Sequence, residues 1–206
     1  MVKSINIYRN FNIKAEHKNS IVLIGNFDGL HLGHQKLFTL AKKYKKKYSL
    51  KVGVLTFEPM PKMYFNKNIK NFRISNRKQK IDLLNKLKVD FIILKKFDKN
   101  FSKTKSIDFI KRILKKKLGA RFIFVSNNFR FGNKREGNVK LLKKYEQFLN
   151  YKVGWRNDSW ELAYSVKNAT DNNYVRLILI ASGISGVNGM TMGAPETHSF
   201  SVKYNF

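Results

Sequence analysis

The chain has 206 residues, 43% hydrophobic and 14% aromatic, which is enough for one packed domain and excludes wholesale disorder. It has no cysteine, so a disulfide scaffold, a cysteine-ligated zinc or iron–sulfur site and a cysteine nucleophile are excluded. Its 42 basic and 13 acidic residues give a formal charge of +29, but the excess is mostly lysine spread as KKYKKK and KRILKKK, with no arginine-rich patch, and reads as solvated helix faces in a Lys- and Asn-rich chain.

The chain shows no run of about 18 apolar residues, and its first stretch lacks an apolar signal core. A cytoplasmic protein with no membrane partner and no specific nucleic-acid partner is expected. IVLIGNF (Ile21–Phe27) reads as a buried strand. A helix follows from Gly33 to Lys47, with Leu37, Leu40, Ala41 and Tyr44 on one face. KVGVLTF (Lys51–Phe57) is a second strand, Asn76 to Lys88 a helix carrying Ile81, Leu84 and Leu87, and DFIILK (Asp90–Lys95) a third strand. Ile107, Ile110, Leu114 and Leu118 recur at helical spacing, with Thr104 or Ser106 as cap and Gly119 as stop. RFIFVS (Arg121–Ser126) is a fourth strand, and Asn138 to Phe148 a last helix. Near-continuous apolar strands alternating with helices predict an α/β fold, a parallel sheet covered on both faces. Ligands of such sheets sit beyond the carboxyl ends of the strands.

Composition changes near residue 149. Residues 1–148 hold almost all of the charge excess, and residues 149–206 are close to neutral. The stretch from Tyr151 to Val175 alternates like antiparallel strands joined by a turn at Asn157–Ser159, and the end HSFSVKYNF alternates again. Two parts are therefore expected, 1–148 and a short β-rich tail, 149–206.

The chemistry should lie at the strand exits. After the first strand stands G-N-F-D-G-L-H-L-G-H, Gly25 to His34. Its glycines, at 25, 29 and 33, permit tight turning, and the free N–H groups of the helix beginning at Gly33 form an anion site. His31 and His34, three apart, can both point into it and stabilise charge during phosphoryl or nucleotidyl transfer. Asp28 could help hold a magnesium–phosphate, but no set of protein metal ligands is read. The P-loop and G-x-G-x-x-G patterns are both absent. After the second strand comes T-F-E-P-M-P, Thr56 to Pro61, whose prolines stiffen the exit. After the fourth comes S-N-N-F-R-F-G-N-K-R-E-G, Ser126 to Gly137. Here Asn128 can bond a polar heterocycle edge, Phe129 and Phe131 offer flat faces, and Arg130, Lys134 and Arg135 suit phosphate.

G-N-F-D-G-L-H-L-G-H resembles the H-x-G-H signature of Rossmann-like nucleotidyltransferases, and in this wording the FAD synthetase module of bacterial bifunctional riboflavin kinase/FAD synthetases. T-F-E-P-M-P and N-F-R-F-G resemble two further segments of that family, in family order, and Arg73, Ile74 and the following helix match a third one loosely. The resemblance covers Ile21 to Tyr145. It implies transfer of AMP from ATP to FMN, giving FAD and pyrophosphate, with Mg²⁺ accompanying ATP. It also implies catalytic residues His31 and His34; an ATP site of Gly25, Phe27, Asp28, Gly29, Gly33, His31 and His34; and a flavin site of Phe57, Pro59, Asn128, Phe129, Arg130 and Gly132.

The chain departs from that pattern after residue 148. The family's Ser-rich I-S-S-S-x-I-R-like phosphate motif is not found, and Ser182, Ser185 and Arg176 do not reproduce its spacing. The remaining residues are too few for a riboflavin kinase domain. The tail instead resembles the last strands of TonB-dependent outer-membrane receptors, through V-K-N-A-T-D and G-A-P-E-T, and is expected to be foreign to the family. The alternatives are an inactive chimeric remnant, a polyanion-binding basic protein, or a nucleotidyltransferase for another small phosphorylated substrate.

Overall fold

The computed structural model of the protein describes residues 5–66, 68, 73–146, 151–156, 160–167, 176–180 and 197–204. The apolar runs lie side by side, all parallel, in one six-stranded sheet of order β1-β4-β3-β2-β5-β10. The central strands are β2 (Ile21–Ile24), β3 (Val52–Glu58), β4 (Phe91–Lys96) and β5 (Phe122–Ser126), flanked by β1 (Asn6–Tyr8) and β10 (Arg176–Ile180). Side chains alternate across the pleat, so each central strand feeds two cores. Ile21, Leu23, Val54, Ile92 and Phe124 face α1 (Leu32–Tyr48) and α3 (Arg77–Lys86), through Leu37, Phe38, Ala41, Tyr44 and Leu84. Val22, Ile24, Leu55, Ile93, Ile123 and Val125 face the other helical layer, through Ile110, Ile113, Leu114 and Leu142 of α6 (Val139–Glu146). This is the α/β architecture that the sequence predicts.

β1 was not legible as a strand. It is anchored by His17, whose ring stacks on Phe91 with centroids 4.5 Å apart and whose Nδ1 lies 2.7 Å from the Tyr8 hydroxyl. The helix expected over Ile107–Leu118 also differs from its reading. A short α5 (Ser106–Asp108) runs into a π-helical stretch, Phe109–Lys117, in which the Leu118 N–H donates to the Ile113 carbonyl at 2.9 Å. The wider turn rotates the apolar stripe, burying Phe109, Ile110, Ile113 and Leu114 and leaving Ile107 45% exposed. Neither Thr104 nor Ser106 caps it. Lys105 holds the cap position, and the Ser106 N–H donates instead to Glu136, at 2.7 Å.

Two short helices, α2 (Pro61–Phe65) and α4 (Lys99–Ser102), follow β3 and β4. A two-residue ribbon, β6 (Arg130–Phe131) with β7 (Gly137–Asn138), follows β5. In the tail, β8 (Tyr151–Arg156), β9 (Trp160–Lys167) and β11 (Thr197–Tyr204) pair antiparallel, as the alternation predicts. The turn expected at 157–159 lies outside the described residues, as do Ser182 and Ser185. β10, the apolar run RLILI, joins the parallel sheet beside β5.

Candidate functional site

The sheet order reverses between β2 and β5, and the exits of β2, β3 and β5 converge there, as expected of a switch point. A cavity of about 1220 Å³ opens between them. Single small-molecule sites run to about 1000 Å³, so two ligands can lie side by side.

The β2 exit supplies one wall. His31 caps α1 with extended backbone and no side-chain bond, which leaves the first-turn N–H groups without a side-chain cap at the cavity edge. No acidic residue occupies that turn. The His31 and His34 rings stack with centroids 3.8 Å apart and planes 28° from parallel. Gly33 leaves room for it, because a Cβ there would come within 3.1 Å of the His31 ring and press it aside by a few tenths of an ångström. The sequence reading paired these two imidazoles by spacing alone, and the structure brings them together. His34 is half-buried and its Nδ1 has no hydrogen-bond partner. Burial first, and the neighbouring His31 second, push its imidazole down from 6.5 to about 4, against a pull upward from Asp28. His34 is therefore neutral near pH 7, with one ring nitrogen to donate and one to accept.

Asp28, read from the sequence as able to help hold a magnesium–phosphate, borders the cavity with both carboxylate oxygens bonded within the protein. One carboxylate oxygen accepts from the Ile74 N–H at 3.0 Å, the other from the Ser75 N–H and hydroxyl, both at 2.8 Å. Burial raises its pKa, but these bonds outweigh that effect and hold the carboxyl below its ordinary value. Asp28 borders the cavity as a clasp between the His31/His34 loop and the start of α3, where Asn76 and Gln79 form a capping box. Phe27 is only 1% exposed and packs against Phe38 and His34, so it forms a back wall rather than a free stacking face. Gly25 borders the cavity, while Gly29 does not, its open side facing Ile74.

The β3 exit supplies Phe57, stacked on Phe101 at 5.6 Å and edge-on to Phe97 at 5.9 Å. Pro59 does not border the cavity; the chain runs past it to Met60 and Pro61, which do. The β5 exit supplies Asn128, Phe129, Arg130, Gly132, Lys134 and Arg135, all bordering the cavity. The Ser126 hydroxyl donates to Asn128 Oδ1 at 2.8 Å, which leaves the amide NH₂ as the side chain's free donor. Phe129 stacks on Phe131 at 5.4 Å with planes 19° apart. Gly132, at φ +77 and ψ 173, lets the loop cross α5, since a Cβ there would lie 2.8 Å from the Ser106 backbone.

Sequence reasoning missed Phe65, Phe97, Phe101 and Phe109, which extend the aromatic wall. Phe97 was within reach, because it follows the carboxyl end of β4 as the other exits follow theirs. The site thus has a polar side, with two imidazoles and a helix N-terminus, and an aromatic side flanked by Arg130. That arrangement can hold phosphates at one end and a planar ring at the other.

A family model described as FAD synthetase matches residues 13–160, past the composition break. A bifunctional riboflavin kinase/FMN adenylyltransferase of Buchnera aphidicola subsp. Acyrthosiphon pisum is 40% identical over 177 residues, covering 84% of this chain and 56% of the relative. Proteins of the same description from Haemophilus influenzae (38% identical; 58% of this chain, 39% of the relative) and Escherichia coli K12 (34%; 64% and 42%) are also similar. The chain spans about half the length of the relatives it matches. A crystal structure of a macrolide-efflux protein from Streptococcus pneumoniae shares the fold, with a TM-score of 0.59 at 22% identity over 85% of this chain and 49% of that one. Neither the family match nor these relatives support the outer-membrane-receptor resemblance of the tail.

Proposed function

The chain belongs to the FAD synthetase family, and from that premise we propose that it transfers AMP from ATP to FMN, releasing pyrophosphate. The observation that carries this reading is the pairing, in one cavity, of a stacked His31–His34 pair at a helix N-terminus with an aromatic wall and Arg130.

In this reading the ATP phosphates lie against the first turn of α1, between Gly25 and His34. His31 and His34 donate hydrogen bonds to phosphate oxygens as charge builds up on them. His34 begins neutral, and an anionic triphosphate beside it would raise its pKa and strengthen the contact. The isoalloxazine ring lies on the Phe57 and Phe129 side, the Asn128 amide bonds its polar edge, and Arg130 meets the FMN phosphate. An FMN phosphate oxygen attacks the α-phosphorus of ATP, the α–β bond breaks, and pyrophosphate leaves, with catalysis mainly through positioning and charge stabilisation. Mg²⁺ enters this reading with ATP, as part of the Mg·ATP substrate.

The break in charge at residue 149 and the pairing of β8, β9 and β11 only with one another among the described residues set a small antiparallel sheet apart in this reading, while β10 completes the parallel sheet beside β5 and the family match runs on to residue 160. The Ser-rich phosphate motif is absent from the sequence after residue 148, which lowers turnover relative to a chain that has it. Incubation of the purified protein with FMN and Mg·ATP tests the reading: FAD and pyrophosphate in equal amounts support it, and neither product above the blank refutes it.

A further inference from the structure

Residues 73–75, just before α3, are bonded to both walls of the cavity. On the polar side, Asp28 accepts from the Ile74 N–H at 3.0 Å and from the Ser75 N–H and hydroxyl at 2.8 Å. The Ser75 hydroxyl oxygen accepts in turn from the Gly29 N–H at 3.4 Å. Ile74 packs on Gly29, where a Cβ would come within 2.9 Å of its side chain. Asp28 and Gly29 belong to the loop that leads into His31 and His34. On the aromatic side, the Arg73 guanidinium forms an ion pair with Glu58, the residue after Phe57, and Arg73 Nε donates to Met63 Sδ at 3.3 Å. Met63 belongs to α2, whose Pro61 and Phe65 border the cavity.

Arg73 and Glu58 are themselves set back from the cavity. Neither borders it, and their side chains are 29% and 21% exposed. Their pair therefore holds parts of the protein together rather than meeting a ligand. Being partly shielded from water, it is screened less than a surface pair. Glu58 Oε2 is buried with no hydrogen-bond partner, so the carboxylate depends on the bond between Oε1 and Arg73. Removing the guanidinium leaves a part-buried carboxylate without that bond, which is the costly way to break such a pair.

We propose that Arg73 is a positioning residue that sets the histidine loop against the aromatic wall: it ties residues 73–75 to Glu58 and Met63, and those residues hold the loop through Asp28. Its link to turnover rests on the reading of the cavity as an adenylyltransferase site. Its link to the loop does not. In that reading ATP lies with the histidines and FMN with the aromatic wall, so the placement of one wall against the other sets how closely the FMN phosphate meets the α-phosphorus. Each wall keeps its own binding groups when Arg73 is lost. Their mutual placement is what changes, so kcat falls while the KM for each substrate holds.

The test uses the full chain carrying Arg73→Met or Arg73→Lys, with amide exchange and the imidazole resonances followed by NMR. The chain has four histidines, and His17, bonded to Tyr8, is an internal reference. The expected result is that in Arg73→Met the Gly29, Ile74 and Ser75 amides exchange faster and the His31 and His34 signals move, while His17 stays. Arg73→Lys, which keeps the charge, returns these signals toward their wild-type positions. In parallel, kcat for FMN with Mg·ATP falls roughly 10- to 100-fold in folded Arg73→Met, with both KM values held. Glu58→Gln lowers kcat in the same way, and the double variant loses no more than Arg73→Met alone, because both changes break one pair. Unmoved His31 and His34 signals in a Arg73→Met protein that merely melts earlier would overturn the proposal, as would losses that add in the double variant. If Arg73→Met does not fold, Arg73→Gln takes its place and decides on the same signals. Wild-type protein that forms no FAD would sink the adenylyltransferase reading alone, and the NMR comparison would still decide the role of Arg73.

Discussion

Replacing His34 by glutamine keeps a polar side chain of similar reach and removes a group that titrates far from its ordinary range. In the folded chain the imidazole is held near 4 by burial and by His31, against 6.5 when unperturbed. Between those values the unfolded chain takes up a proton that the folded chain refuses. Stability from this group is therefore complete above pH 6.5, falls as pH drops, and is gone below about 4. The shift corresponds at most to about 3 kcal/mol, and solvent access to the half-buried ring reduces that to roughly 2 kcal/mol. Urea unfolding of wild type and His34→Gln, at a series of pH values from 7 to 4, measures the difference. The wild type should lose roughly 2 kcal/mol more than the variant over that interval. Parallel stability curves, or a His34 resonance titrating between pH 6 and 7, would refute the burial argument. His31→Ala should move the His34 titration upward, only part of the way to 6.5, because burial is the larger cause.

Gly132→Ala should cost at least about 2 kcal/mol, because φ +77 with ψ 173 is a region that side chains avoid and its Cβ would meet the Ser106 backbone; denaturant unfolding gives the value, and FMN affinity should fall with it. Asp28→Ala should destabilise by about 1–3 kcal/mol, since it strips partners from the Ile74 and Ser75 N–H groups, and hydrogen exchange at those two amides should speed up more than at β2. Limited proteolysis should cut first between residues 149 and 152, with the C-terminal piece staying attached through β10 and β5; cleavage first within α1 or α3 would count against a separate antiparallel addition.

What could be read from the sequence follows from the range of the interactions. The runs at 21–27, 51–57, 90–95 and 121–126 are apolar on both pleat faces, so a covered parallel sheet and its switch-point cavity were legible. His31, Gly33 and His34 lie within four residues at the entry of α1, so the pairing of the two rings is local and was legible. The bonds of Asp28 to Ile74 and Ser75 carried no sequence signal, because these partners lie 46 and 47 positions away. The burial of Lys80, 3% exposed, carried no local signal either, since a lysine four residues into a polar helix reads as solvent-exposed. The π-helical turn was hidden because its apolar residues also fit a helix of ordinary pitch. β10 was missed although RLILI has the continuous apolar pattern of a buried parallel strand, because the alternation around it suggested a hairpin.

The central claim is that the cavity between the β2, β3 and β5 exits adenylylates FMN through His31 and His34. Its most direct test is the simultaneous measurement of FAD and pyrophosphate from FMN and Mg·ATP, in wild type and in folded His31→Ala and His34→Ala proteins. The account predicts equal amounts of the two products from wild type, and turnover lower by about 10²-fold or more in each variant. Absence of FAD from wild type, or FAD formed at the wild-type rate by both variants, would contradict it.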